Sequence, residues 1–325
     1  MRYSSGMYLT VARQLLVMAI IVVISFFFSK KNNFGQKESQ FLSRVLLYVI
    51  NPCMIVSTFD VEFSGQKLKS LALAIAVSLV FHLVMIALSG LLFAFKKYSG
   101  PEDEEATRDS LSKIGIVFTN SGFIGIPLIN GVFGGEGVFY LMAYILVFNV
   151  LLWIWGERQM TGRTRPLQII LNPNVLACAV GLALFCVPFK TPYVLIEPLK
   201  MIGSCNGAVS MVLLGLLFSS FDAETEMKIF IRPLARDILT RLVFCPLVLL
   251  GFSVLALRFF NEVSEMHLIM SVLFIAAACP VGMSVSSFAV VFKKDADYAS
   301  LLVAVSSAAC VVTIPLLVAL FEALA

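Results

Sequence analysis

Apolar runs of near-bilayer length follow one another along this chain, separated by short polar gaps. A crossing helix needs about 20 mostly apolar residues. Ten runs meet that length, at roughly 9–29, 40–60, 70–95, 111–132, 137–156, 167–187, 196–219, 236–257, 266–291 and 298–321. The pattern predicts an all-α membrane protein of ten spans. The first run ends in Ser29-Lys30-Lys31 with no small-x-small cleavage site, and reads as a retained helix. The longest polar gaps are Lys96 to Ser110, holding Glu102-Asp103-Glu104-Glu105, and Phe221 to Pro233. Neither is large enough for a soluble domain, and the acidic run reads as a solvated loop.

The fourth and ninth spans are interrupted by glycine and proline. The fourth contains Phe118-Thr119-Asn120-Ser121-Gly122-Phe123-Ile124-Gly125-Ile126-Pro127-Leu128, and the ninth contains Ala278-Cys279-Pro280-Val281-Gly282-Met283-Ser284. Broken backbone at membrane depth must face protein or a water-filled cavity, because lipid offers no hydrogen bonds. The second and seventh spans are interrupted too, at Asn51-Pro52 and Cys205-Asn206-Gly207. Ten spans divide into five and five around a short cytoplasmic linker, 157–166, giving repeats at 1–156 and 167–325. An odd number of spans per half makes the halves opposite in orientation, an inverted repeat in which spans 4 and 9 correspond. Paired broken helices of this kind point to a transporter binding site.

Composition agrees. The chain is 59% hydrophobic and 14% charged, whereas a soluble domain carries roughly 25% charged residues. No segment offers the basic face that a nucleic-acid partner would need. The seven cysteines lie in apolar spans with no C-x-x-C pair, so neither a disulfide framework nor a zinc site is indicated. Basic residues fall unequally on alternate loops. One set holds Lys30, Lys31, Lys37, Lys96, Lys97, Arg108, Arg158, Arg163, Arg165, Lys228, Arg232, Arg236, Lys293 and Lys294. The other holds Arg2, Lys67, Lys69, Lys190 and Arg258. The first set is read as cytoplasmic, which puts both termini outside.

The candidate chemistry sits at the breaks. Gly122 and Gly125 remove side chains, and Pro127 removes a donor and clashes with the preceding turn. The N-terminus of the next half-helix carries about half a positive charge and can hold an anion without a buried lysine. The ninth span offers the same device after Pro280, with Gly282, Ser284, Ser286 and Ser287. Asn120 and Ser121 add an amide and a hydroxyl. Asn172 and Asn174, around Pro173, either line the same cavity or cap a helix start. The binding set is therefore Asn120, Ser121, Gly122, Pro127, Asn172, Asn174, Pro280 and Ser284.

Other polar residues read as structural. Asn149 is expected to hydrogen-bond between helices. Arg44 and Lys113 snorkel to the interface, as do Arg13 and Lys200 at the outer ends, where Asp60 and Glu62 close the second span. Asp237 and Arg241, spaced i,i+4, are expected to pair with each other. His82, half-way through the third span, reads as a hydrogen-bonded histidine rather than a titrating one. No P-loop, nucleophile elbow, H-E-x-x-H or Rossmann fingerprint occurs, so transport must run on gradients rather than ATP hydrolysis. No enzyme activity, cofactor or metal is expected.

The string Asn120-Ser121-Gly122-Phe123-Ile124-Gly125-Ile126-Pro127-Leu128 resembles the auxin efflux carrier family, which includes bacterial permeases and the plant PIN exporters. Asn51-Pro52, Asn172-Pro173-Asn174, Pro280, Tyr298-Ala299-Ser300, Ser306-Ser307 and Thr313-Ile314-Pro315 fit the same family. The resemblance implies the fold of bile acid:sodium symporters, with helices 4 and 9 crossing at prolines matching Pro127 and Pro280. It implies a scaffold that mediates homodimers and a domain that carries substrate past it. It also implies a substrate carboxylate beside asparagines matching Asn120 and Asn172. The chain lacks the long central loop of many plant exporters, and so looks like a bacterial inner-membrane permease for a small carboxylate. A sodium-coupled symporter, with ligands from Asn120, Ser121 and carbonyls near Pro280, is the alternative within transport. A membrane-embedded ligand sensor is the alternative outside it.

Overall fold

The computed structural model describes residues 6–94, 104–164, 167, 170–187, 191–219, 223–260 and 265–325. Arg2, Lys96, Lys97, Arg165 and Lys190 of the loop-charge pattern lie outside these, as do Glu102 and Asp103 of the acidic run and Pro166 of the linker. Among the described residues the chain is all helical, with no strand. Seven helices among the described residues are long and apolar enough to cross a membrane. They are α1 (Met7–Lys31), α2 (Lys37–Thr58), α3 (Gly65–Leu92), α5 (Ser121–Thr161), α7 (Tyr193–Ser219), α8 (Ile231–Phe259) and α11 (Ala296–Leu324). Between them run α4 (Glu104–Val117), the shorter apolar helices α6 (Pro173–Cys186) and α9 (Met266–Ala278), and α10 (Met283–Val291).

Helix starts follow local chemistry. The Ser64 hydroxyl accepts from Lys67 N–H at 3.0 Å, and the Asp295 carboxylate accepts from Tyr298 N–H at 3.0 Å. Each satisfies a donor that the first turn leaves free. The expected gap between the fourth and fifth spans is a kink inside α5 instead of a loop. Gly134 takes φ 66 and ψ −159 there, a conformation that a residue with a β-carbon rarely adopts.

Proline does not break these helices in the way its chemistry alone suggests. Leu46–Ile50, Ser121–Gly125 and Thr240–Phe244 are widened π turns, and Pro52, Pro127 and Pro246 each follow two residues later. A proline ring clashes with the carbonyl four residues before it. A turn closed by an i→i−5 bond makes room for that ring. Pro127 therefore sits inside a continuous helix, and the interruption expected at it lies seven residues upstream.

Two packing groups emerge. In the first, α7 packs along α1 and α2, and α6 packs on α2. Glycines set the distances. A β-carbon at Gly215 would lie 2.5 Å from the Val22 carbonyl oxygen, and one at Gly203 would lie 2.8 Å from the Met54 Cα. Small residues let membrane helices approach this closely. The buried amides of Asn206 and Asn51 hydrogen-bond at 2.7 Å, joining the two interrupted helices of this group. In the second group α3 packs on α5, α5 on α9, α9 on α8, and α11 on α8 and α10. The molecule's centre lies here: Leu268 to Ala278 of α9 are all buried. By contrast Leu16, Val17, Ile20, Ile24, Phe27 and Phe28 of α1 face outward. An apolar helix buried all round is a core helix, whereas an exposed apolar face needs lipid or a partner.

The groups touch at several places. α1 packs on α11 and on α5, α7 packs on the Ser121–Gly125 turn, and α6 packs on α5. The Glu322 carboxylate near the end of α11 accepts from Met7 N–H at 2.7 Å, Tyr8 N–H at 3.0 Å and Gly6 N–H at 3.3 Å. The start of α1 and the end of α11 therefore lie at the same end of the bundle.

Candidate functional site

α4 and α9 both stop in the interior, and their breaks cross. Thr119 and Val281 form an isolated antiparallel bridge. The Asn120 N–H donates to the Pro280 carbonyl at 2.8 Å, and the Gly282 N–H donates to the Phe118 carbonyl at 2.9 Å. Each break thus satisfies orphan backbone groups of the other, as a water-poor interior requires. The crossing is tight at Gly282, where a β-carbon would lie 2.8 Å from the Thr119 carbonyl oxygen. Val281 N–H donates to the Ser306 hydroxyl at 3.2 Å, anchoring the crossing to α11.

Beyond the crossing, two new helices begin. Asn120 precedes Ser121, and its carbonyl accepts from Ile124 N–H at 2.9 Å and Gly125 N–H at 3.1 Å. Gly282 precedes Met283 with φ −71 and ψ 142. Two helix N-termini therefore start next to each other. The Asn120 side-chain Nδ2 and the Ser284 hydroxyl are buried there with no partner. Buried polar groups are normally paired, so unpaired ones mark a place for a ligand or water. Beside them, a β-carbon built at Gly122 meets no atom within 4 Å, so the protein leaves room.

The two helix C-termini are treated differently. Arg241, in the widened turn of α8, is wholly buried. Its Nε and Nη2 donate to the Cys279 carbonyl at 3.1 and 2.8 Å, and its Nη1 donates to the Ile116 carbonyl at 2.9 Å. Nη2 also donates to the Ala277 carbonyl, and Nη1 to the Met85 sulfur. One guanidinium thus binds the last carbonyls of both α4 and α9. The expected Asp237–Arg241 pair does not form. Buried Asp237 accepts from Arg236 Nε at 2.7 Å and from the Tyr298 hydroxyl at 2.6 Å, and Arg236 also donates to buried Asp109 at 3.2 Å. Residues four apart can meet, but here Asp237 is taken by its neighbour Arg236 and by Tyr298 of α11, and Arg241 by backbone carbonyls of α4 and the second break.

Of the expected binding set, Asn120, Ser121, Gly122, Pro280 and Ser284 come together at the crossing. Pro127 does not break its helix; its ring instead abuts α7, where a β-carbon at Gly207 would lie 3.1 Å from the Pro127 Cβ. Asn172 caps α6, its Oδ1 accepting from Asn174 N–H at 2.9 Å and Val175 N–H at 3.2 Å. Asn174 is buried in that first turn, with Oδ1 unpartnered. Asn149 bonds back to the Ile145 carbonyl of its own helix at 2.8 Å rather than across to another. His82 is buried and its Nδ1 carries the hydrogen, since it donates to the Ser78 carbonyl at 2.8 Å. Its ring lies 4.5 Å from that of Tyr144, whose hydroxyl is 3.5 Å from Thr119 Oγ1. At the periphery, Lys200 pairs with Asp60 at 2.7 Å, Lys113 lies over the Phe93 ring, and Arg13 and Arg44 are exposed. The roles of Arg241 and Glu322 were not expected. Arg241 carries one sequence signal, a charge within an apolar run, but Asp237 four residues earlier offers a simpler reading of it.

A cavity of about 450 Å³ lies elsewhere, lined by Phe28, Phe34, Lys37, Phe41, Val212 and Leu216 among others. It opens on the outward side of α1, α2 and α7.

A helical, lipid-facing chain with two crossed, interrupted helices is an integral membrane protein of transporter type. The model of the membrane transport protein family, which includes the auxin efflux carriers, matches residues 10–169 and 162–318. The chain belongs to that family. No individual curated protein matches it.

Proposed function

We propose that this chain is a gradient-driven permease for a small organic anion, of the carboxylate or auxin-like type. The observation that carries the reading is the pair of adjacent helix N-termini at Ser121 and Met283, with unpartnered Asn120 Nδ2 and Ser284 Oγ beside them. Two adjacent helix N-termini attract an anion, and an amide N–H₂ donates to a carboxylate.

The reading includes ten crossings in two inverted repeats, 1–156 and 167–325, joined by a cytoplasmic linker at 157–166. Its supports are the antiparallel bridge between the two breaks, the Asn51–Asn206 bond between the other interrupted pair, and the shared end of the first and last helices. We further propose that α1, α2, α6 and α7 form a scaffold able to dimerise. The crossing group then moves against it in an elevator-like or rocking step, in a bacterial inner membrane with both termini outside. The sodium-coupled alternative has less support, because the Pro280 and Cys279 carbonyls already accept from Asn120 N–H and Arg241.

Thermal-shift screening of mono- and dicarboxylates on purified protein should find a stabilising ligand, since binding only the native state raises its stability. Vesicle uptake of that ligand, with and without sodium or proton gradients, then separates permease, symporter and non-transporting sensor. A ligand that binds but never crosses would overturn the permease reading.

A further inference from the structure

We propose that Arg241 is the positioning residue of the crossing: its guanidinium ties the C-terminal carbonyls of both broken helices together without touching the anion. The proposal rests on the permease reading only for its consequence in binding. A helix C-terminus carries about half a negative charge, and two meet here. Ile116 belongs to α4, Ala277 to α9, and Cys279 to the second break, and one planar fork reaches all three carbonyls. Among the described residues no carboxylate is bonded to that fork; the nearest in sequence, Asp237, is engaged by Arg236 and Tyr298. The cation is therefore spent on the backbone. That leaves the N-terminal side, at Ser121 and Met283, as the uncompensated positive side. Arginine suits this place better than lysine, because its bonds leave from three separate nitrogens of a planar fork, whereas an ammonium offers three donors from a single point.

The test uses hydrogen exchange in the full-length protein, in peptides spanning residues 116–122 and 278–284. These contain the Asn120 and Gly282 amides that join the breaks. Arg241→Met and Arg241→Ala should speed exchange there by at least about tenfold, while peptides from α1 and α6 keep wild-type rates. Millimolar guanidinium, but not methylammonium, should restore slow exchange in Arg241→Ala. If both variants prove too unstable to purify, Arg241→Lys should show the same local loss with normal expression. Malonate affinity, read by thermal shift, should fall in step with exchange. Wild-type exchange in Arg241→Met would overturn the proposal, as would a uniform rise across all helices, which would make Arg241 a general stabiliser. If wild type binds neither malonate nor any other carboxylate while the exchange results hold, the substrate reading fails and the role of Arg241 stands.

Discussion

At the residue scale the candidate site reduces to a few unpaired groups beside two helix ends. Asn120 is 2% exposed and its Nδ2 has no partner, so its amide is expected to donate to the anion. Asn120→Ala should weaken carboxylate binding by roughly tenfold to more than a hundredfold, as a charged hydrogen bond of about 1.5–3 kcal/mol implies. An unchanged affinity by thermal shift or uptake would remove Asn120 from the site. Gly122 gives an independent check. Its backbone is not in the left-handed region and a β-carbon there meets nothing within 4 Å. Gly122→Ala should therefore fold with wild-type stability yet bind anion less well, because the methyl enters the space left for it. Normal binding by that variant would place the ligand elsewhere. These residues were legible in the sequence because glycine, proline and asparagine are conspicuous in an apolar run. Arg241 was not. Spacing on one helix says which neighbours are near, but a buried arginine chooses among all elements, and carbonyls freed by breaks more than 30 residues away leave no local mark.

At the element scale the sequence located the interruptions better than it located their geometry. The breaks near Asn120 and Pro280 are where two segments leave helical geometry and pair. Pro127 was assigned the same role, and the widened Ser121–Gly125 turn absorbs it instead. Whether a proline kinks, widens or ends a helix depends on what packs around it, which a single sequence does not encode. The same limit hid the cap on α1. Gly6 offers no side chain to its first turn, and the acceptor comes from Glu322 more than 300 residues later. Glu322→Ala should remove that cap at a cost of about 0.5–2 kcal/mol. Hydrogen exchange over Met7–Thr10 should then speed by about twofold to thirtyfold, with α5 and α9 unchanged. Equal protection in the variant would show that water or another group caps α1 as well.

At the scale of the whole molecule, the two packing groups decide what can move. The shared end of α1 and α11 requires an even number of crossings between them. With the proposed orientation, a reporter active only in the cytoplasm should be silent when fused at Ala325 and active when inserted after Thr161; a strong signal at Ala325 would overturn the topology. The proposed movement is testable where α7 meets α5. Gly207 of α7 and Pro127 of α5 approach until a β-carbon at 207 lies 3.1 Å from the Pro127 Cβ. A disulfide needs Cβ atoms about 3.5–4.5 Å apart, so Gly207→Cys with Pro127→Cys should oxidise readily after a small relaxation. The background must have the seven native cysteines replaced, since Cys279 lies close to Gly125. If the crossing group slides or rocks past the scaffold, oxidation should arrest vesicle uptake and a reductant should restore it. Carboxylate binding from the open side should survive the cross-link, because the N-termini at Ser121 and Met283 are left in place. The reduced double variant sets the baseline, since it also lacks the proline that shapes the turn. Full uptake by the oxidised form would mean that substrate crosses without relative motion at this contact, and the two packing groups would be one rigid body.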